Sequence, residues 1–195
     1  MNTALFGGTF NPPHTAHTAL VEQVLSKTRY QRVVVVPVNQ PAHKDLEQDP
    51  GPDHRLVMTR LAFGAVEGCI VEDWEVARGG VSYTVDTVQQ LAASYTLQGK
   101  AGLIIGYDLV EELSSWRSWD ELRQMVQFII AKRDAETVDP KLTADLDCIL
   151  LDNPLIDLSS SQVRSLCSAG RPFGHLVPEQ VADYIKAMGL YGYRA

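Results

Sequence analysis

At 195 residues and 21.5 kDa the chain is long enough to bury a sizeable core, and 45% hydrophobic with 21% charged residues is ordinary globular composition. The formal net charge of -7 and pI near 5.2 exclude the broad basic face that a nucleic-acid or anionic-membrane partner needs, so phosphate must be held locally by a few well-placed cations. Cys69, Cys148 and Cys167 lie far apart without a C-x-x-C pair, and no apolar run approaches a membrane span, which suits a reducing, cytoplasmic setting.

Thr3 to Phe6 is a short apolar strand that stops at Gly7-Gly8, and Thr15 to Ser26 carries helix-spaced apolar positions at Ala16, Leu20, Val21, Val24 and Leu25. Arg32 to Val38, R-V-V-V-V-P-V, is a continuous β-branched run of the kind buried on both faces of a parallel sheet, completing a right-handed βαβ unit. Asn39 to Asp53 is polar and proline-rich and reads as a loop whose length suggests function. His54 to Val66 follows as a helix, Cys69 to Val71 as a short strand, then an acidic E-D-W-E and the turn A-R-G-G.

Tyr83 to Tyr95 has helical spacing, and Ala101 to Gly106 is a buried strand ending in glycine. Asp120 to Val126 reads as helix, Phe128 to Ala131 and Cys148 to Leu151 as strands, and Ser160 to Ser168 and Pro178 to Met188 as helices. This alternation predicts an α/β, doubly wound, mostly parallel Rossmann-like sheet with helices on both faces, and ligands at the carboxyl ends of its strands. The expected organisation is one domain over residues 1-195, with a small C-terminal helical part from about 158 to 195 packed on it.

The chemistry concentrates in G-G-T-F-N-P-P-H-T-A-H, Gly7 to His17. Glycines at a strand end let backbone approach a ligand, and an anion there meets exposed amides and a helix dipole. Pro12 and Pro13 stiffen the approach to His14 and His17, which lie three apart around the helix start and can donate to phosphate oxygens. The stretch fits neither G-x-x-x-x-G-K-[ST] nor G-x-G-x-x-G. Two other readings stay open at this point: a tight βα turn with incidental histidines, and a zinc site completed by His43 or His54, although H-x-x-H alone is a weak metal signal.

The stretch resembles the signature of the nucleotidyltransferase superfamily with an H-x-G-H motif, and specifically the bacterial nicotinate-nucleotide adenylyltransferases. It departs twice: the family usually has aspartate where Asn11 stands and glycine where Ala16 stands, and the extra methyl of Ala16 lies where a nucleotide should pack. S-S-S-Q-V-R, Ser159 to Arg164, resembles the second signature of that family, and by its own chemistry a serine caps a helix whose amides face an anion while Arg164 adds a permanent cation. The resemblance runs nearly end to end.

It implies adenylyl transfer from ATP, with Mg2+, to nicotinate mononucleotide, giving nicotinate adenine dinucleotide and pyrophosphate. His14, His17 and Arg164 are the implied catalytic residues, and Gly7, Gly8, Thr9, Phe10, Gly106, Asp108, Arg133, Ser160 and Ser161 the ATP-binding ones. Gly106 and Asp108 lie in I-I-G-Y-D, immediately after a central strand, where Asp108 is read as a ribose-hydroxyl acceptor in preference to an N-cap of the next helix. The acceptor side is Asn39 and Lys44 of N-Q-P-A-H-K, a loop one residue shorter than usual, with Thr84 at a helix start, Asp108, and Trp116 to stack on the pyridine ring; the next position is often aromatic in the family, and the Arg117 found here is expected, by its own charge, to favour a ring carboxylate over an amide. The expected partners are these small molecules, with no nucleic acid or membrane, and a homo-oligomer is left open. The rivals are another acceptor, namely nicotinamide mononucleotide, phosphopantetheine or a cytidylyl acceptor, and a relative that binds nucleotide without turning it over.

Overall fold

The computed structural model describes residues 1–42, 45–132, 139–154 and 156–194. Its strands are β1 (Thr3–Gly8), β2 (Arg32–Pro37), β3 (Gln40–Pro41), β4 (Cys69–Val71), β5 (Val81–Ser82), β6 (Ala101–Gly106), β7 (Val126–Ala131) and β8 (Cys148–Leu151). Its helices are α1 (Thr15–Lys27), α2 (Pro52–Phe63), α3 (Trp74–Arg78), α4 (Thr84–Ser94), α5 (Trp119–Met125), α6 (Pro140–Thr143), α7 (Ser160–Ser168) and α8 (Glu179–Met188), with 3-10 segments at Tyr107–Ser115 and Leu190–Gly192.

The main sheet has six strands in the order β4-β2-β1-β6-β7-β8, and every pairing in it is parallel. Counting only these strands along the chain, the order is 3-2-1-4-5-6, the doubly wound Rossmann-like arrangement whose crevice opens between β1 and β6. Alternation explains the double burial. Along β2, Val33 and Val35 enter one core with Ala4, Phe6, Ile104 and Ile129, while Val34 and Val36 enter the other with Leu5, Leu103, Ile105 and Phe128. The first core is closed by α1, α2, α7 and α8 through Val21, Met58, Val163 and Ile185, and the second by α4 and α5 through Leu91 and Leu122. Cys69, Cys148 and Cys167 are unpaired, and burial pushes the Cys167 thiol up to about 11, the behaviour of small packed residues. No helix among the described residues is long and apolar enough to cross a membrane.

Several elements differ from the sequence expectation. The segment Asn39 to Asp53 is not wholly loop: Gln40–Pro41 pairs in parallel with β5, and α2 begins at Pro52, capped by Gly51 at φ 100°. That helix ends at Phe63, short of Val66. The first two residues of the turn read at A-R-G-G belong to α3, a helix too short to show a period, which stops at Gly79 with φ 71°. Tyr107–Ser115 forms a 3-10 helix whose buried Val110 and Leu113 stand three residues apart, the spacing that stacks side chains at three residues per turn.

Candidate functional site

The carboxyl end of β1 runs straight into the turn before α1. Gly7 and Gly8 belong to the strand itself, not to a turn with positive φ; the positive φ, 47°, falls on Phe10. Gly8 is needed for contact, because a Cβ there would sit 2.7 Å from the Phe10 ring, whereas a Cβ on Gly7 would meet nothing within 4 Å. Phe10 is 1% exposed and packs edge-on to Phe6 and Phe63, so its side chain is core and only its backbone is available to a ligand. Asn11, Pro12, Pro13 and His14 are all buried, and the Asn11–Pro12 peptide is cis.

His14 is the N-cap of α1 and His17 its third residue. Their rings stack at 3.6 Å with an interplanar angle of 22°, and Phe10 stands edge-on to His17 at 5.2 Å. The His14 backbone N–H donates to His17 Nδ1 at 3.1 Å. A nitrogen that accepts cannot carry the proton, so the neutral His17 ring holds its N–H on Nε2. The turn that positions the ring therefore also chooses its tautomer.

The second signature closes on this turn across the whole length of the chain. Ser159 caps α7 by accepting from the Gln162 N–H at 3.2 Å, which leaves Ser160 Oγ to donate to the Pro12 carbonyl at 2.8 Å. Arg164, 8% exposed, donates from Nη1 to the Asn11 carbonyl at 3.0 Å and from Nη2 to Ser161 Oγ at 3.1 Å. Its Nη2 also lies 3.6 Å from the exposed carboxylate of Glu47, and its Nε is buried with no hydrogen-bond partner among the described residues. Neither α1 nor α7 has an acidic residue in its first turn, so both N-termini keep their positive dipole ends for an anion.

Thr9, His14, His17, Gly106, Ser160, Ser161 and Arg164 line one cleft of about 780 Å³ at the carboxyl edge of the sheet, and Ala16 stands on its wall. Lys132 and Asn153, which sequence reasoning did not single out, are on the same wall. Asn153 bridges the ends of β7 and β8, accepting from the Lys132 N–H at 3.0 Å and donating to its carbonyl at 2.9 Å. Asp108 is exposed in the first turn of the Tyr107–Ser115 segment and stands off the cleft wall. Lys44 and Arg133, and the candidate zinc ligand His43, fall outside the described residues.

The remaining acceptor-side candidates gather elsewhere. Asn39 donates from Nδ2 to the Gly80 carbonyl at 2.8 Å, fastening the end of β2 to the β3–β5 pair. Tyr83 is the N-cap of α4 and Thr84 its first residue, and the Arg117 guanidinium lies 4.5 Å from the centre of the Tyr83 ring. Trp116 ends the 3-10 segment half-buried against the second core. Thr84 and Arg117 thus flank Tyr83, one along the chain and one over its ring. Arg55, also unflagged by the sequence, is fully buried in the first turn of α2. Beneath this region Glu75 is 4% exposed and accepts from Thr87 Oγ1, and burial raises its pKa above the ordinary carboxylate value.

Comparison with known proteins follows the same lines. The model of the cytidylyltransferase-like family matches residues 5–166. Over 189 residues the chain is 38% identical to the probable nicotinate-nucleotide adenylyltransferase of Streptococcus pyogenes serotype M18, covering 96% of this chain and 87% of that one. It is 37% identical over 187 residues to the protein of the same name from Streptococcus pneumoniae serotype 4, with 96% and 87% covered. Among solved structures, Plasmodium falciparum nicotinic acid mononucleotide adenylyltransferase complexed with NaAD matches with a TM-score of 0.84 over 99% of this chain and 98% of that one, a likeness of fold at 19% identity.

Proposed function

This chain belongs to the cytidylyltransferase-like family, and we propose that it transfers the adenylyl group of ATP to nicotinate mononucleotide, giving nicotinate adenine dinucleotide and pyrophosphate in NAD biosynthesis. The observation that carries the reading is the junction of the two signatures: Ser160 and Arg164 bond the carbonyls of Pro12 and Asn11, on the wall that also presents His14 and His17.

The acceptor is itself the nucleophile. An ionised phosphate oxygen of the mononucleotide attacks the α-phosphorus, the bond from that phosphorus to the oxygen bridging to the β-phosphate breaks, and pyrophosphate leaves with the electron pair. No side-chain nucleophile is needed. The work of the protein is alignment and charge stabilisation. His17 donates from Nε2 to the α-phosphate as its charge grows, and His14 with the amides about Thr9 holds the phosphates. The Ser161 hydroxyl, the backbone N–H groups of Ser160 and Ser161 at the start of α7, and Arg164 receive the β and γ phosphates. Lys132 adds a second cation on that wall.

When bound, Mg2+ neutralises charge on the triphosphate. The donor set fits an ion carried mainly by phosphate oxygens and water: among the described residues no three His, Cys, Asp or Glu side chains cluster, and Asn11 Oδ1 is a buried oxygen without a hydrogen-bond partner. On the acceptor side, Thr84 at the N-terminus of α4 and Arg117 beside it favour the acid over the amide, with Trp116 against the ring and Asn39 holding the loop. The test is pyrophosphate release with ATP and Mg2+, comparing nicotinate and nicotinamide mononucleotides. Turnover that prefers the acid is expected; no turnover with either would overturn the reading.

A further inference from the structure

We propose that Arg55 is a positioning residue that fixes the distance between the ATP-binding turn and the acceptor loop. The proposal rests on the reaction assigned above. Arg55 is fully buried, and its guanidinium makes four hydrogen bonds to three separate stretches of chain. Nη1 donates to the carbonyl of Thr9, in the turn after β1, at 3.1 Å and also to the carbonyl of Val38. Nη2 donates to the carbonyl of Asn39 at 2.7 Å, and Nε to Asp49 Oδ1 at 2.9 Å.

Each of these partners leads to one substrate. Thr9 lines the ATP cleft. Asn39 continues through its Nδ2 bond to Gly80 and on to β5, two residues before the start of α4. Asp49 is the far end of the proline-rich loop, and it also accepts from the Gly51 N–H at 3.1 Å, where α2 is capped. The arginine is itself held, because its own N–H donates to the Gly51 carbonyl at 3.1 Å and its carbonyl accepts from Thr59 Oγ1 at 2.7 Å.

A buried guanidinium is costly unless its N–H groups and charge are met, and an apolar side chain of similar volume serves cohesion as well or better. What only a planar fork supplies is simultaneous, directional bonding to several carbonyls that radiate from one point. In an in-line transfer between two bound nucleotides the quantity so fixed is the gap between attacking oxygen and phosphorus, and a misplacement of about 1 Å costs on the order of a hundredfold in rate.

The experiment is Arg55→Lys, which keeps the charge but loses the fork. Isothermal titration calorimetry with an ATP analogue alone, and with nicotinate mononucleotide alone, is expected to give Kd values within about threefold of the parent, while kcat at saturation with both substrates falls about ten- to a hundredfold. A merely structural role would weaken each binary complex in step with turnover, and that result, or a kcat within about threefold of the parent, overturns the proposal. Should Arg55→Lys fail to fold, Asp49→Asn keeps the acceptor for Gly51 but removes the ion pair; it is expected to lower kcat several-fold with unchanged binary Kd values, and unchanged kcat overturns the proposal. An inactive parent refutes the assigned reaction and this proposal together, whereas an active parent with unaffected variants refutes this proposal alone.

Discussion

Replacing His17 by alanine removes two separable things. The first is the Nε2–H that the His14 backbone fixes in place by occupying Nδ1 at 3.1 Å. A preorganised donor aimed at developing charge is worth about 2.7–4 kcal/mol, so kcat should fall roughly 10²- to 10³-fold with KM for ATP nearly unchanged. The second is structural: one hydrogen bond to the N-cap amide, worth about 0.5–1.5 kcal/mol net, together with the ring contacts to Phe10 and Phe6 at 5.2 and 6.0 Å. For a chain of this size about 1 kcal/mol moves Tm by about 2–4 °C, so the variant stays folded at assay temperature. Two further variants separate the parts. Asparagine offers an oxygen where Nδ1 was and should recover Tm without kcat; glutamine reaches the Nε2 position with an N–H and should recover some kcat. The assays are pyrophosphate release under saturating substrates and thermal unfolding of each variant. A kcat within fivefold of the parent for His17→Ala, or full recovery of rate by His17→Asn, would refute the assignment of Nε2 to the transition state.

Arg164→Ala should cost both KM for ATP and kcat, because its cation meets the triphosphate in ground and transition states alike; it should also lower Tm, since the Asn11 carbonyl and Ser161 hydroxyl lose their partner, and a steady-state titration in ATP with a melting curve reads both. Arg117→Ala should narrow the preference for the acid over the amide mononucleotide while leaving KM for ATP unchanged, and the ratio of the two kcat/KM values measures it. Glu75 gives a pH signature with a definite sign. Burial, the largest influence on it, raises its folded pKa, against the opposing bond from Thr87 and the charge of Arg78, so the native state keeps a proton that the unfolded chain releases. The parent therefore loses stability as pH rises from the ordinary carboxylate value to that raised folded value. Glu75→Gln, which cannot ionise, should gain in Tm relative to the parent across that interval, and a Tm difference that shrinks with rising pH would contradict the reasoning.

The sheet was legible because its signal is composition plus position. A continuous V-V-V-V run is the mark of a strand buried on both faces, and the structure divides its side chains between two cores, Val33 and Val35 against Val34 and Val36. The Tyr107–Ser115 helix was not legible because it is short and buries only Val110 and Leu113, a single apolar pair being too little to establish a period. The short pair β3–β5 is held by backbone bonds between Gln40–Pro41 and Val81–Ser82, segments with no apolar pattern to announce them.

The cleft's histidines, serines and arginine could be picked out because they lie in two contiguous signatures, and the structure adds their contact across 148 residues. Arg55 and Asn153 could not, because apart from the Asp49 carboxylate beside Arg55 their partners are main-chain groups, and a carbonyl or amide has no letter in the sequence. Asn11 stands between these cases. As a letter it was a departure from the usual aspartate; in the structure its Nδ2 donates to the carbonyl of Glu47 at 3.1 Å, while its own carbonyl accepts from Arg164. Aspartate has no N–H to give, and its charge would face a carbonyl oxygen. The change that seemed to weaken the signature therefore supplies a bond between the phosphate turn and the far part of the acceptor loop, the two stretches that Arg55 joins through Thr9 and Asp49 on its own side. The loop proposed to carry one substrate is thus tied to the turn proposed to carry the other by a neutral amide as well as by a buried cation. Both ties act on main-chain groups at one or both ends, which is why neither amounts to a motif.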